Sequence, residues 1–473
     1  MNLITKLVTI IFSALLTIIP SSKLTEGVVG QPRSFLPSKV ETQTDKTISS
    51  LIFRGLFKYD IYGGLVPDLA DTWEVSEDGL VYTIKMKEGQ KWTDGSEITS
   101  DDLIYTSFKV GVLSDVATDK VDAHTVRFTL PNKFSPFLSL LTTGLMKSNA
   151  EEEQNGLMPT TSGQFRVIDI KRSGPLVKEI VLYNKDSTQD IRKLSFRYYA
   201  NDEELVIGAK LGEFDSFVSQ SEHVLEGFEN YKFPIQGVYY GLFFNMRDEK
   251  FSDLEFRKKL RSALPVEEMT NPLGIPVQGV VSKSIYTKDS INTDHFNLEL
   301  SEEVINQEIV ITVPDITTHV ELAKRITTVW EDKFNIPVDL RRISPEDFLT
   351  KVIEPREFEV LLYGQEVGRD PDRYVYWHST KIDSPNLNIT GFEHVRADRA
   401  LEEGRNNVDF AERQIHYHEL QDVIEEQVPA VFMYHPYANY YVSSYIEGIG
   451  EKYTYTLADR FLDFSNWKII QTN

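Results

Sequence analysis

Acidic, hydroxyl and imidazole side chains are plentiful in the sequence, but their spacing does not match an active site. Covalent catalysis needs a nucleophile, a base and an orienting group held together. No G-x-S-x-G, H-E-x-x-H or glycine-rich phosphate loop is present to supply them. His416 and His418 are two residues apart on a predicted helix, so they point to different sides and could not readily share one metal ion. We therefore expect no enzymatic activity, no metal site and no cofactor.

A second group of side chains is suited to binding. Ligand pockets combine apolar and aromatic walls with a few polar groups, and a carboxylate can pair with a ligand cation. Aromatic residues occur on a predicted strand at 234–245, and acidic residues are followed by aromatic ones in a predicted loop at 364–378. Most aromatic residues belong to a core, and Asp-Pro-Asp can also be a turn with a helix cap. The candidate ligand-binding residues from these segments are Tyr239, Tyr240, Glu366, Asp370, Asp372, Tyr374 and Trp377.

Composition excludes several functions. The net charge is −22, which would repel the phosphates of a nucleic acid. The sequence has no cysteine, so disulfides, thiolate metal sites and a cysteine nucleophile are excluded. Residues 1–24 resemble a secretory signal, because Lys6 precedes the uncharged stretch 7–19 and small residues follow it. We expect an exported protein whose remaining membrane contact would be an uncleaved N-terminal anchor.

The elements that would position the candidate residues can be predicted from periodicity. Residues 80–87 alternate in polarity after a turn at Gly79, as expected for a half-buried strand. Thr99 and Asp102 have the spacing of a capping box at a helix start. The order strand, helix, strand over 309–343 predicts a parallel βαβ unit. The apolar run 358–364 predicts a buried parallel strand beside it.

The stretch 65–102 also carries a specific resemblance. It is similar to the motif of extracellular solute-binding protein family 5, which includes the dipeptide, oligopeptide and nickel-type receptors of ABC importers, and weaker similarity continues over about 25–473. The matching positions are Pro67, Leu69, Ala70, Trp73, Glu74, Gly79, Tyr82, Thr83, Trp92, Asp94, Gly95, Thr99 and Asp102.

This resemblance implies a periplasmic-binding-protein-like α/β fold with two lobes, a hinge and an extra β-rich subdomain on the first lobe. The implied boundaries are 25–238 with 436–473 for the first lobe, about 60–165 for its subdomain, and 239–435 for the second lobe. The implied function is capture of peptides outside the cytoplasm and delivery to an ABC permease. Such a protein would be a monomer in the periplasm or at the cell surface, without a lipid-anchoring cysteine. One alternative is a receptor for a sugar or a metal chelate on the same fold. The other is a hydrolase.

The resemblance breaks down at the pocket. Peptide-binding relatives place an aspartate three residues before the Asp-Pro-Asp turn, where it pairs with the α-ammonium of the peptide. In this chain that position is Val367, Glu366 is adjacent, and Gln365 stands where relatives have a tryptophan. A buried ammonium needs an anionic partner. Either Glu366 supplies the charge from a shifted loop, or the ligand has no free amino end.

Overall fold

The computed structural model describes residues 22–148, 156–277, 279–281 and 308–470. Most of the predicted signal or anchor segment, 1–24, lies outside these residues. The first strand already begins at Lys23, and Leu24 is fully buried in the sheet. The predicted segment therefore extends two residues into the folded protein.

Twenty strands and twelve α-helices occur in the described residues, together with a few short 3-10 and π helices. The strands are β1 (Lys23–Val29), β2 (Phe57–Tyr59), β3 (Leu65–Pro67), β4 (Ala70–Val75), β5 (Val81–Met86), β6 (Ala117–Lys120), β7 (Thr125–Thr129), β8 (Phe165–Ser173), β9 (Leu176–Asn184), β10 (Lys193–Tyr199), β11 (Ser216–Ser219), β12 (Phe228–Pro234), β13 (Val238–Phe244), β14 (Gly274–Pro276), β15 (Ile309–Pro314), β16 (Val338–Ile343), β17 (Val360–Glu366), β18 (Ala430–Ser443), β19 (Ile446–Glu447) and β20 (Lys468–Ile469). The helices are α1 (Gln43–Ile52), α2 (Ser100–Lys109), α3 (Phe137–Leu140), α4 (Asp202–Lys210), α5 (Glu249–Ser252), α6 (Leu254–Ser262), α7 (Val266–Thr270), α8 (Thr317–Phe334), α9 (Pro345–Phe348), α10 (Tyr374–Trp377), α11 (Val395–Asn406) and α12 (Phe410–Gln427).

One long strand, β18, joins two halves of a twelve-stranded mixed sheet. Its beginning pairs antiparallel with β13, where Phe243 lies opposite Ala430. Its end pairs with β11 and β12, where Phe217 lies opposite Tyr441. Strands β1 and β8–β12 lie on one side of this junction, and β13–β17 lie on the other. The two-lobed fold implied by the resemblance is confirmed.

The second lobe contains the predicted βαβ unit. Strands β15 and β16 are parallel, helix α8 connects them, and β17 lies parallel to β15 on its other side. Val360, Leu361 and Leu362 of β17 are almost fully buried, which is why this strand is continuously apolar.

The extra β-rich subdomain is a four-stranded sheet in the order β4-β5-β7-β6. Strand β5 alternates as predicted, with Tyr82 and Ile84 buried and Lys85 exposed. The capping box of α2 forms between Thr99 and Asp102. Asp102 also accepts a hydrogen bond from Trp92 Nε1 at 3.0 Å, which ties the Trp-x-Asp-Gly turn to the helix. The family motif is therefore architectural here.

Gly274 offers a test of the junction. It lies opposite Pro436 in the pairing of β14 with β18, and a Cβ built on it would lie 1.8 Å from the backbone oxygen of His435. Gly274→Ala must push β14 away from the long strand, and we expect a loss of about 1–3 kcal/mol in the free energy of unfolding. Urea unfolding measures this loss. Gly111→Ala is the control, since a Cβ there has no heavy atom within 4 Å and should change stability by less than about 0.5 kcal/mol. Equal losses in both variants would contradict the prediction.

Candidate functional site

A cavity of about 300 Å³ lies where the two halves of the sheet meet. At roughly 30 Å³ per molecule it has room for about ten waters or a small organic ligand. Its floor consists of the two chain segments that cross between the lobes, 235–238 and 434–439. The start of helix α8, the end of β17, the end of β11 and the turn 455–457 contribute to its walls.

Aromatic side chains form one wall. Tyr240 of β13 stacks on Tyr434 of β18, with ring centroids 5.0 Å apart and planes 12° from parallel. His319, in the first turn of α8, lies 4.8 Å from the ring of Tyr240. Burial raises the pKa of Tyr240 and lowers that of His319, so both remain neutral at pH 7. This wall can pack against the apolar part of a ligand.

Polar groups on the opposite side come from the first lobe. Ser219 and Gln220, at the end of β11, line the cavity together with Asn439 of β18. Asn439 is fixed by a hydrogen bond from Asn230 to its side-chain oxygen at 3.1 Å. A few oriented polar groups facing an aromatic wall are typical of a site that fixes a ligand by its backbone or head group.

Two carboxylates line the cavity, Glu222 and Glu366. Glu222 forms an ion pair with Lys232 at 2.5 Å. Glu366 lies 3.9 Å from Lys46 Nζ, and its side chain is 67% exposed. Glu366 is therefore the carboxylate that is more open to a ligand cation.

Three of the sequence-predicted residues line the cavity: Tyr240, Glu366 and Val367. The register of β13 and β17 explains why Tyr240 and Glu366 line the cavity while Tyr239 and Gln365 do not; Val367 follows the end of β17. Val238 lies opposite Glu366, and Tyr239 lies opposite Gln365. Since neighbouring side chains on a strand point to opposite faces, Tyr239 and Gln365 turn away from the cavity. They are buried and bonded to each other through the Tyr239 hydroxyl and the Gln365 side-chain oxygen.

The other four predicted residues are also placed outside the cavity. Asp370 pairs with Arg413 at 2.7 Å, and Asp372 pairs with Arg405 at 2.6 Å. Asp372 also accepts a hydrogen bond from the backbone of Tyr374 at 3.0 Å, in agreement with the turn-and-cap interpretation. The Tyr374 ring stacks on His378, and Trp377 is 1% exposed within the second-lobe core. Their side chains support the loop and do not face the cavity.

Arg369, which sequence reasoning missed, links this loop to the first lobe. Its guanidinium lies 4.2 Å from the ring centroid of Tyr59 and 4.9 Å from that of Tyr455. It also forms a largely buried ion pair with Asp459 at 2.5 Å. Desolvation raises the pKa of Tyr59 to about 12, although the guanidinium opposes this rise. Arg369 lies in a loop between Gly368 and Asp370, and a single arginine there gives no periodic signal that could have marked it.

Most of the cavity residues were not predicted from sequence either. Tyr434 and Tyr437 flank the predicted hinge position Pro436, and the aromatic run around that proline was the one available signal. Ser219, Gln220 and His319 come from segments with no motif.

Across the described ranges, no group of three or more potential ligands could hold a metal ion. No helix in this part of the chain is long and apolar enough to cross a bilayer.

Two α/β lobes around an aromatic cavity define the class of bilobal solute-binding proteins. The family described as "Bacterial extracellular solute-binding proteins, family 5 Middle" matches residues 64–381, about two thirds of the chain, and this chain belongs to it. Oligopeptide-binding protein AppA of Bacillus subtilis is 21% identical, over 90% of this chain and 88% of that protein. Di/tripeptide-binding protein 3 of Pseudomonas aeruginosa is also 21% identical, over 85% of this chain and 87% of its own length.

Solved structures share the fold at low identity. The substrate-binding protein CtaP of Listeria monocytogenes superposes with a TM-score of 0.79 at 20% identity, covering 95% of this chain and 99% of that one. NikZ of Campylobacter jejuni, in complex with Ni(L-His), gives 0.72 at 18% identity, covering 95% and 100%. AppA of Bacillus subtilis, in complex with a nonapeptide, gives 0.70 at 17% identity, covering 95% and 99%. At these identities the likeness shows the fold.

The buried histidine of the cavity predicts a pH effect on stability. Burial lowers the pKa of His319 below its ordinary value near 6.5. As the pH falls through about 6.5, His319 becomes protonated in the unfolded chain before it does in the folded protein. The free energy of unfolding therefore falls as the pH falls. We expect the melting temperature to drop less in His319→Gln than in the parent protein between about pH 7.5 and about pH 5.5. Equal drops in thermal unfolding scans would show that His319 contributes nothing.

Proposed function

We propose that this protein captures peptides outside the cytoplasm and delivers them to an ABC permease. The observation that carries the proposal is the cavity at the lobe junction, where an aromatic wall faces oriented polar groups and the carboxylate of Glu366. Membership in a family of extracellular solute-binding proteins and the names of the relatives support it. The protein binds its ligand and does not transform it. It acts as an exported monomer, in the periplasm or at the cell surface.

Glu366 is the proposed partner of a ligand ammonium. It stands next to the position where peptide-binding relatives have an aspartate, and it lines the cavity from the end of β17. Val367 beside it is 5% exposed and apolar, so it cannot serve as the anion. A ligand that covers Glu366 must provide hydrogen-bond donors, because an unpaired buried carboxylate is costly. A primary ammonium provides three.

A non-peptide ligand is the second candidate, and the replacement of the aspartate by Val367 favours it. Structural neighbours with the same fold include NikZ with Ni(L-His) and AgaA of A. tumefaciens with agropinic acid. An amine pocket that lacks a buried carboxylate would suit an uncharged or chelated solute. Binding of N-acetylated and free peptides separates the two candidates.

Glu366→Gln tests the amine pocket. A hydrogen bond to a charged group contributes about 1.5–3 kcal/mol, so the variant should bind peptides with free amino ends roughly 10- to 150-fold more weakly. N-acetylated peptides should bind both proteins equally and more weakly than free peptides bind the parent. Calorimetry with a defined tripeptide mixture measures both.

Glu255→Gln is the matched control, since its side chain is 69% exposed and its lysine partner, Lys258, lies outside the cavity. Full affinity of Glu366→Gln for free peptides, or an equal loss in Glu255→Gln, would exclude the amine pocket.

Lobe closure is the second part of the proposal. Two crossing segments near Val238 and Pro436 would act as the hinge, and the contacts of Arg369 with Tyr59 and Asp459, which are formed in this structure, would hold the closed arrangement. We expect a bound tripeptide to reduce the radius of gyration in small-angle scattering. Arg369→Gln should weaken that reduction, because it removes the ion pair between the lobes. An unchanged radius on saturation with a ligand that binds by calorimetry would rule out hinge closure.

A further inference from the structure

Lys46 approaches the cavity from the first lobe. It lies on helix α1, three residues after Gln43, which lines the cavity. Its ammonium is 3.9 Å from Oε1 of Glu366 at the end of β17 in the second lobe. Helix α1 belongs to the first lobe and strand β17 to the second, so this ion pair crosses the cleft.

The acidic neighbours of Lys46 along the chain are otherwise engaged. Glu41 forms an ion pair with Arg33. Asp45 is buried and accepts hydrogen bonds from the backbone of Arg33 at 3.3 and 3.4 Å. Neither carboxylate has an ion pair with Lys46 among the described residues, and Lys46 instead extends toward Glu366.

The geometry of this pair is that of a loosely held counter-ion. A separation of 3.9 Å is too long for a hydrogen bond. The two side chains are 43% and 67% exposed, so water and salt screen their attraction. An ammonium that donated hydrogen bonds to Glu366 directly would therefore replace Lys46 at small cost.

We propose that Lys46 is a tethered competitor that sets the selectivity of the cleft for cationic ligand groups. The Lys46 ammonium lies beside the Glu366 carboxylate, which a ligand ammonium would also need. Only a group that hydrogen-bonds directly to Glu366 displaces it. Neutral ligands do not compete for Glu366 and are indifferent to Lys46. This inference rests on the proposed amine pocket and deepens it, because it assigns a limit on the affinity for cationic groups to one residue outside the cavity wall.

The test is Lys46→Gln in the full chain. Removing an exposed ion pair of this kind frees Glu366 and should raise the affinity for tripeptides with free amino ends about two- to fivefold. The N-acetylated tripeptides should bind with unchanged affinity, which separates competition for Glu366 from any change in lobe closure. The gain should vanish in a Glu366→Gln background.

Lys324→Gln is the matched control, because it also removes one positive charge from an exposed helical ion pair, at 2.8 Å from Glu321. It should leave every affinity unchanged. A fall in affinity for free tripeptides in Lys46→Gln would mean that Lys46 binds the ligand carboxylate and would overturn the proposal. So would an unchanged affinity, or an equal gain in Lys324→Gln. If the parent protein binds no tripeptide of either kind, the proposed function itself fails.

Discussion

Strand β18 is the constraint on which the arrangement of this protein depends. Its fourteen residues must satisfy hydrogen bonds with β13 at one end and with β11 and β12 at the other. Pro436 lies between these two sets and has no backbone N–H to donate. The sheet can therefore change direction there, and the cavity opens at that point. The same backbone segment thus joins the lobes, forms the floor of the site and provides the proposed hinge.

The loop after β17 connects the cavity to the contact between the lobes. Glu366 at the end of β17 and Val367 after it line the cavity, and Arg369 two residues later lies between aromatic rings of the first lobe. Asp370 and Asp372 are held by arginines of α12 and α11, which keeps the loop rigid. A ligand that moves Glu366 would therefore act on the lobe contact at Arg369 through only two intervening residues. In the proposed mechanism, this short path would give ligand binding and lobe closure a common physical origin.

Charge is distributed unevenly around this path. The chain has a net charge of −22, yet the two acids of the cavity each face a lysine, Lys232 or Lys46. The two pairs are similarly exposed, but the Lys232 pair is close and the Lys46 pair is too long for a hydrogen bond. The cleft therefore has one carboxylate that is hydrogen-bonded to a lysine, Glu222, and one that is not hydrogen-bonded to its nearest lysine, Glu366.

Sequence alone determined the features that depend on local spacing. Alternation over 80–87, the capping box of Thr99 and Asp102, and the βαβ order of 309–343 indicated the elements, and the motif at 65–102 indicated the family. The selection of cavity residues depended on the register between β13 and β17 and on the approach of α1 and α8, which are long-range. A single strand position separates Gln365 in the core from Glu366 in the cleft, and only the tertiary pairing decides which face a side chain takes. For the same reason the contacts that Lys46 and Arg369 make between the two lobes depended on the tertiary structure, although Arg369 directly precedes the Asp-Pro-Asp turn.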